Sequence, residues 1–267
     1  MAAASVSSSS RVRSGGGDGV LRIVAPVVVG IVVLGGWQVL VSVGGVSDYL
    51  LPSPASIAEE LVAFAPAVLA ATAVTGTNAL VGLLVGAILG ILLAALAARW
   101  RVLDMMGAPV VASLAVIPIV ALAPVLNSMF GADSQFGRQA IAALASFVPI
   151  FLNTLRGFRQ VIPVHRDLMT AYAASGGQVL RTVTLPTAVP FVFTGIRIAS
   201  SLAVISALVA EYFGGPRGGL GGLISTSAAT SAYARAWAYV FAAIILGLLF
   251  YVVTLVLERL ATRRRSA

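Results

Sequence analysis

The sequence predicts an all-α membrane protein with six transmembrane helices, on three observations. Hydrophobic residues make up 59% of the 267 and charged residues only 10%, with a mean hydropathy of +1.02. Apolar stretches recur at lengths near the roughly 20 residues that cross a hydrocarbon core. All 17 basic residues are Arg, clustered between those stretches, and there is no Lys. Soluble domains are about half apolar and about a quarter charged. The composition therefore excludes a soluble enzyme, a disordered chain and a nucleic-acid binder, despite the formal net charge of +8.

Taken in order, residues 1–22 are rich in Ser, Gly and Arg and predict a disordered cytoplasmic tail. The transmembrane domain spans 23–260. Its first helix, about 23–45, exceeds a signal-peptide core and ends in Ser-Val-Gly-Gly-Val without a cleavage site, so it is retained. The uncharged stretch 61–98 is too long for one span. Phe64-Ala-Pro66 and Thr72, Thr75 and Thr77 place the second helix at about 74–97. Asn78, Gly82, Gly86, Gly90 and Ala94 recur every four residues on one of its faces. Small groups so spaced let backbones approach closely, within the subunit or at a subunit interface. The third helix, about 107–128, carries Pro109, Pro118 and Pro124 and is expected to be kinked or broken, with Asn127 a candidate pathway residue.

The fourth helix is placed at about 139–156 and the fifth at about 188–210. Ser200, Ser201 and Ser206 make the fifth polar on part of its surface, Arg197 snorkels to the near interface, and Glu211 sits at the far end as an interfacial acid or gate. The Gly-, Ser- and Thr-rich residues 218–234 read as a re-entrant connection. The sixth helix covers about 236–257, followed by a basic cytoplasmic tail, 261–267. Most Arg residues fall before helix one, after helix two, between helices four and five, and at the C-terminus. That bias puts both termini in the cytoplasm.

Conventional catalytic equipment is missing. Without Lys there is no phosphate-binding loop or Schiff base, and without Cys no thiolate site. The lone His165 cannot build an imidazole metal centre. No catalytic residue, metal site or cofactor is expected, and an integral-membrane enzyme is a poor reading.

The cytoplasmic loop 158–187 is the most regular of the connections. Pro163 opens a helix with His165, Arg166 and Asp167 in its first turn, continued through Ala171, Ala173 and Ser175. Gly176-Gly177 supplies a stop and a turn. Residues 178–184 form a second short helix that Leu185-Pro186 ends.

This loop resembles the signature of the inner-membrane permease subunits of bacterial ABC importers: Glu-Ala-Ala, three residues, Gly, nine residues, Ile-x-Leu-Pro. Aligned on Leu185-Pro186, the pattern puts Val183 at the Ile, Ala173 at the Gly and Asp167 at the Glu. Leu168 and Met169 replace the two Ala. Tyr49-Leu-Leu-Pro-Ser-Pro54, Ile117-Pro-Ile-Val-Ala-Leu-Ala-Pro124, Phe147-Val-Pro-Ile-Phe-Leu-Asn-Thr154, residues 190–199, and Ala210-Glu-Tyr-Phe-Gly-Gly with Gly219-Leu-Gly221 resemble the nitrate, sulfonate, taurine and hydroxymethylpyrimidine group of that family. The likeness covers roughly residues 45–260.

The resemblance implies a type I, methionine-importer-like permease fold in the bacterial plasma membrane. It also implies partners: a cytoplasmic ABC ATPase dimer, an extracytoplasmic solute-binding protein and a second permease copy. ATP would be bound by the partner. Asp167, Ala171, Ala173, Ser175, Gly176, Leu185 and Pro186 would couple to the ATPase. Asn127, Ser200, Ser201, Ser206 and Glu211 are the candidates for pathway or gate. The solute would be a sulfonate, taurine, nitrate or a pyrimidine. The competing reading is an ion-coupled secondary transporter. It is disfavoured because no span holds an acidic residue near its middle, where such carriers keep one.

Overall fold

Inside a bilayer no water is available to backbone N–H and C=O groups, so a chain this apolar must close its hydrogen bonds on itself. Helices do so throughout. The structure, a computed structural model, describes residues 17–47, 49–131, 134–214 and 218–263. It divides into two units, Met1–Ser56 and Ile57–Ala267.

The first unit contains α1 (Gly17–Gly44) and the start of α2 (Pro54–Ala63). Ser53 Oγ caps α2 by accepting from the Ser56 N–H at 3.1 Å, and Gln38 Oε1 accepts from the Ala55 N–H at 3.1 Å. Helix α1 runs Gly17–Gly44, and its membrane-length apolar part is Val24–Gly44. The rest of the expected tail, residues 1–16, lies outside the described residues, as do residues 264–267 of the C-terminal tail.

The second unit continues with α3 (Ala65–Arg99), α4 (Arg101–Val116), α5 (Ile119–Phe130), α6 (Phe136–Arg159), α7 (Pro163–Ala171), α8 (Gly176–Val179), a π-helical turn (Leu180–Thr184), α9 (Leu185–Phe213), α10 (Leu220–Ala229) and α11 (Tyr233–Arg263). Among the described residues 5 helices are long and apolar enough to cross a membrane, or 6 if the bent α4–α5 pair is one span. Helices α3, α6 and α9 form the centre, with α11 and α10 packed against α9. Their shared core is Ala79, Leu83, Ala142, Ile150, Ala199 and Ala203 with neighbours from α11.

The small-residue face of α3 is consumed within the subunit, against α6. A Cβ on Gly82 would lie 2.9 Å from the Ala143 nitrogen, and one on Gly86 2.7 Å from the Ser146 Cβ. These are backbone and Cβ atoms of a packed helix and cannot swing away.

Helix α3 starts at Ala65, well before the expected 74. Pro66 stands in its first turn, where a missing N–H is no loss, and the Thr72 and Thr77 hydroxyls bond back to the Val68 and Ala73 carbonyls at 2.7 and 2.8 Å. Threonines whose hydroxyls are satisfied in this way do not end a helix. Helices α6, α9 and α11 likewise outrun the expected 139–156, 188–210 and 236–257. The span expected at 107–128 is broken: α4 and α5 meet at 91°. Ile117, preceding Pro118, is held extended (φ −60°, ψ 124°) because the proline ring disfavours the helical region for the residue before it.

Candidate functional site

Two features carry chemistry or mechanical consequence: the hairpin between α6 and α9, and a buried polar cluster at the opposite end of those helices.

In the hairpin, Pro163 opens α7 with Asp167 just past the first turn, not in it. Ala171 is its last residue. The chain then reverses through Ala173, whose φ of +48° is left-handed. Its N–H bonds the Thr170 carbonyl at 2.9 Å, and the Ala174 N–H bonds the Met169 carbonyl at 3.0 Å. This is the end of α7, so Gly176-Gly177 is not the stop it was expected to be. Instead Ser175 caps α8: its Oγ accepts from the Gln178 N–H at 3.4 Å, and Gln178 Oε1 accepts from the Ser175 N–H at 2.7 Å. The two glycines open the second helix. The left-handed position is held by an alanine, where only glycine is free of Cβ strain.

Leu185-Pro186 does not end that second helix either. The Leu185 N–H reaches the Leu180 carbonyl, a one-residue-wider turn that carries the chain past a proline without needing its N–H. Residues 176–213 are in consequence a single span-length helix of 38 residues. Among the described residues of α7, α8 and the π-helical turn none is buried, and Val164, Leu168 and Tyr172 are exposed apolar side chains. At the base of the hairpin Asp104 of α4 and Arg159 of α6 pair at 2.6 Å.

The buried cluster centres on Glu211, 1% exposed. The Thr75 hydroxyl donates to its Oε2 at 2.7 Å, the Gly221 N–H to the same oxygen at 3.2 Å, and Asn78 Nδ2 to Oε1 at 3.0 Å. Thr75 Oγ1 in turn accepts from the Leu220 N–H at 2.9 Å. A carboxylate on α9 thus clasps the N-terminus of α10 to α3. A Cβ on Gly219 would sit 2.7 Å from Glu211 Oε1, and one on Gly221 2.8 Å from the Glu211 Cβ, which accounts for glycine at both. On the far side of the cluster Asn78 Nδ2 also donates to Gln135 Oε1 at 2.9 Å, and Arg138 Nη1 donates to that same oxygen at 2.8 Å. Gln139 Nε2 donates to Asn78 Oδ1 at 3.3 Å.

The other expected residues are dispersed. Ser200 is buried and bonds the Arg197 carbonyl at 2.8 Å and Thr254 Oγ1 at 3.2 Å. Ser206 is buried in packing, and Ser201 lines a shallow apolar groove with Gly247 and Tyr251. Asn127 is buried against Gly214 and Gly137. Arg197 does not rely on snorkelling alone, because it pairs with Glu258 of α11 at 2.9 Å. The sequence does not reveal Thr75, Asn78 and Gly221 as partners of Glu211, nor Gln135, Arg138 and Gln139 as the polar groups beyond Asn78. The expected start of the fourth helix at 139 puts Gln135 and Arg138 before it, although Gln135, Arg138 and Gln139 are spaced for one face of a helix start.

An all-helical set of spans with an exposed helical hairpin continuous with one of them defines a multi-span helical membrane protein. The chain belongs to the family of inner-membrane components of binding-protein-dependent transport systems, whose model matches residues 86–266. It is 32% identical over 229 residues to the riboflavin transport system permease protein RibX of Chloroflexus aurantiacus, covering 85% of each chain. It is 32% identical to the formylaminopyrimidine transport permease protein ThiX of Halalkalibacterium halodurans, over 68% of this chain and 72% of that one. The putative aliphatic sulfonates transport permease protein SsuC of Bacillus subtilis is 28% identical, over 70% and 68%. In fold the chain is similar to the crystal structure of an amino acid ABC transporter with histidines, at a TM-score of 0.59 and 15% identity, covering 76% of this chain and 96% of that one.

Proposed function

We propose that the chain is the translocating subunit of an ATP-binding-cassette importer, moving a small solute delivered by an external solute-binding protein. ATP hydrolysis takes place on a separate cytoplasmic ATPase, and this subunit binds no cofactor of its own. Two permease copies enclose the path. Both termini and the hairpin face the cytoplasm, in keeping with Arg156, Arg159, Arg166 and Arg181 around it.

The observation that carries the proposal is the continuity of the hairpin with α9. A docked hairpin exposes Val164, Leu168 and Tyr172 to a groove in the ATPase. The uninterrupted helix from Gly176 to Phe213 then transmits movement of the docked end along the whole span as a lever. In this reading Asp167, Ala171, Ala173, Ser175 and Gly176 shape the docking turn, and Leu185 and Pro186 form its stiff junction with α9. Glu211 holds the lever's far end to α3 and α10. As for solute, the relatives named for riboflavin and a formylaminopyrimidine are more similar than the one named for sulfonates. That supports a small heteroaromatic solute over an alkyl sulfonate.

The test is uptake of labelled riboflavin, formylaminopyrimidine and ethanesulfonate into vesicles holding this chain with its ATPase. ATP- and binding-protein-dependent uptake of a heteroaromatic probe is expected. Uptake driven by an ion gradient without the ATPase would refute the proposal.

A further inference from the structure

Arg138 poses a problem in this arrangement. Its side chain is on α6, 0% exposed, and only Nη1 has an acceptor; Nε and Nη2 have none. A buried guanidinium is among the costliest groups to leave unsatisfied. Its natural counter-charge is in the same cluster, because Asn78 Nδ2 donates both to Glu211 Oε1 and to the Gln135 oxygen that Arg138 holds. Yet Glu211 is turned the other way, with both oxygens engaged by Thr75, Asn78 and Gly221. Acid and base are joined only indirectly, through the Gln135 and Asn78 amides.

Resting on the rocking cycle proposed above, we infer that Arg138 and Glu211 form a direct ion pair in the other transport state, as positioning residues for the helix movement. In the arrangement seen here Glu211 clasps α3 and α10, and Arg138 waits on α6. When α6 moves against α9, the carboxylate leaves the Thr75 and Gly221 donors and takes up the free Nε–H and Nη2–H of Arg138. Each arrangement then satisfies one partner at the expense of the other. Such a device has two discrete states rather than a continuum.

Charge-removing variants separate this role from simple packing. Glu211→Gln leaves an oxygen for the Thr75 hydroxyl and the Gly221 N–H, so the clasp of α3 and α10 persists while the ion pair is lost. Arg138→Gln retains a donor to Gln135 and loses the same pair. In the assembled importer both variants are expected to lower binding-protein-stimulated ATP hydrolysis by about tenfold, within the usual range of couplings between sites. The melting temperature of the assembly stays unchanged, and Arg138→Lys recovers part of the stimulation. Wild-type stimulation by both Gln variants would overturn the latch.

Should a variant fail to assemble, the wild-type pair of exposed neighbours decides. The sequence has no Cys, so Phe136→Cys on α6 and Tyr212→Cys on α9 can carry spin labels without background. Their distance distribution is expected to change between nucleotide-free and ATP-analogue-bound complexes; an unchanged distribution overturns the latch. Absence of any stimulation in the wild type would count against the proposed function instead.

Discussion

Ala173 is the residue at which local strain and function meet most directly. Its left-handed backbone reverses the hairpin. For an alanine that conformation is unfavourable by about 1–2 kcal/mol, against about 0.5–1 kcal/mol of extra chain entropy that a glycine loses on folding. Ala173→Gly should therefore stabilise the turn by about 0.5–1 kcal/mol. Ala173→Val puts a β-branched side chain at the same φ and adds about 1–2 kcal/mol of strain over alanine. Nothing in the hairpin offsets it, since none of the described residues from Pro163 to Thr184 is buried. As 1.4 kcal/mol is a factor of about ten, the valine variant should hold the docking turn about tenfold less often. The assay is ATP hydrolysis stimulated by liganded binding protein, measured beside the melting temperature of the spans. Stimulation is expected to fall about tenfold in Ala173→Val and to persist in Ala173→Gly, with the spans melting as in the wild type. Full coupling by the valine variant, or its loss in the glycine variant, would refute the reasoning.

Gly86→Leu should disrupt the α3–α6 seam, since even its Cβ meets Ser146 at 2.7 Å; overpacking of this kind costs about 1–3 kcal/mol and is read as a lowered melting temperature in detergent. Glu211→Ala strands the donors of Thr75, Asn78 and Gly221, at about 1–3 kcal/mol each before relaxation. It should destabilise the chain far more than Glu211→Gln, a ranking that thermal melts can reverse. Arg197→Met leaves Glu258 without the guanidinium it pairs with at 2.9 Å and should lower the melting temperature of the chain, whereas Arg197→Met with Glu258→Met should recover it; thermal melts in detergent compare the two.

The spans were legible because hydropathy alone decides them, and Arg placement proposed their sidedness. Their ends were not. Polar residues such as Thr72, Thr77 and Asn78 lower local hydropathy, yet in the structure they bond within the helix or across to Glu211 and do not terminate it. Proline was legible in one place and misled in another. Pro118 breaks a span outright, whereas Pro186 is absorbed by a widened turn, and single-sequence reasoning has no term for that geometry. The hairpin was visible from its spacing, but its reversal was placed at the two glycines because the left-handed residue happens to be an alanine. The buried cluster was hardest to see. Its hydrogen-bonded members lie up to 145 positions apart, from Thr75 to Leu220, and only packing of α3, α6, α9 and α10 brings them together.

The hairpin as the docking point is tested most directly by amide hydrogen exchange of the chain with and without its ATPase. Docking predicts new protection at residues 163–184, strongest around Leu168 to Ala174, with the far ends of the spans unchanged in the nucleotide-free complex. Protection elsewhere, with residues 163–184 exchanging as fast as in the isolated subunit, would contradict it.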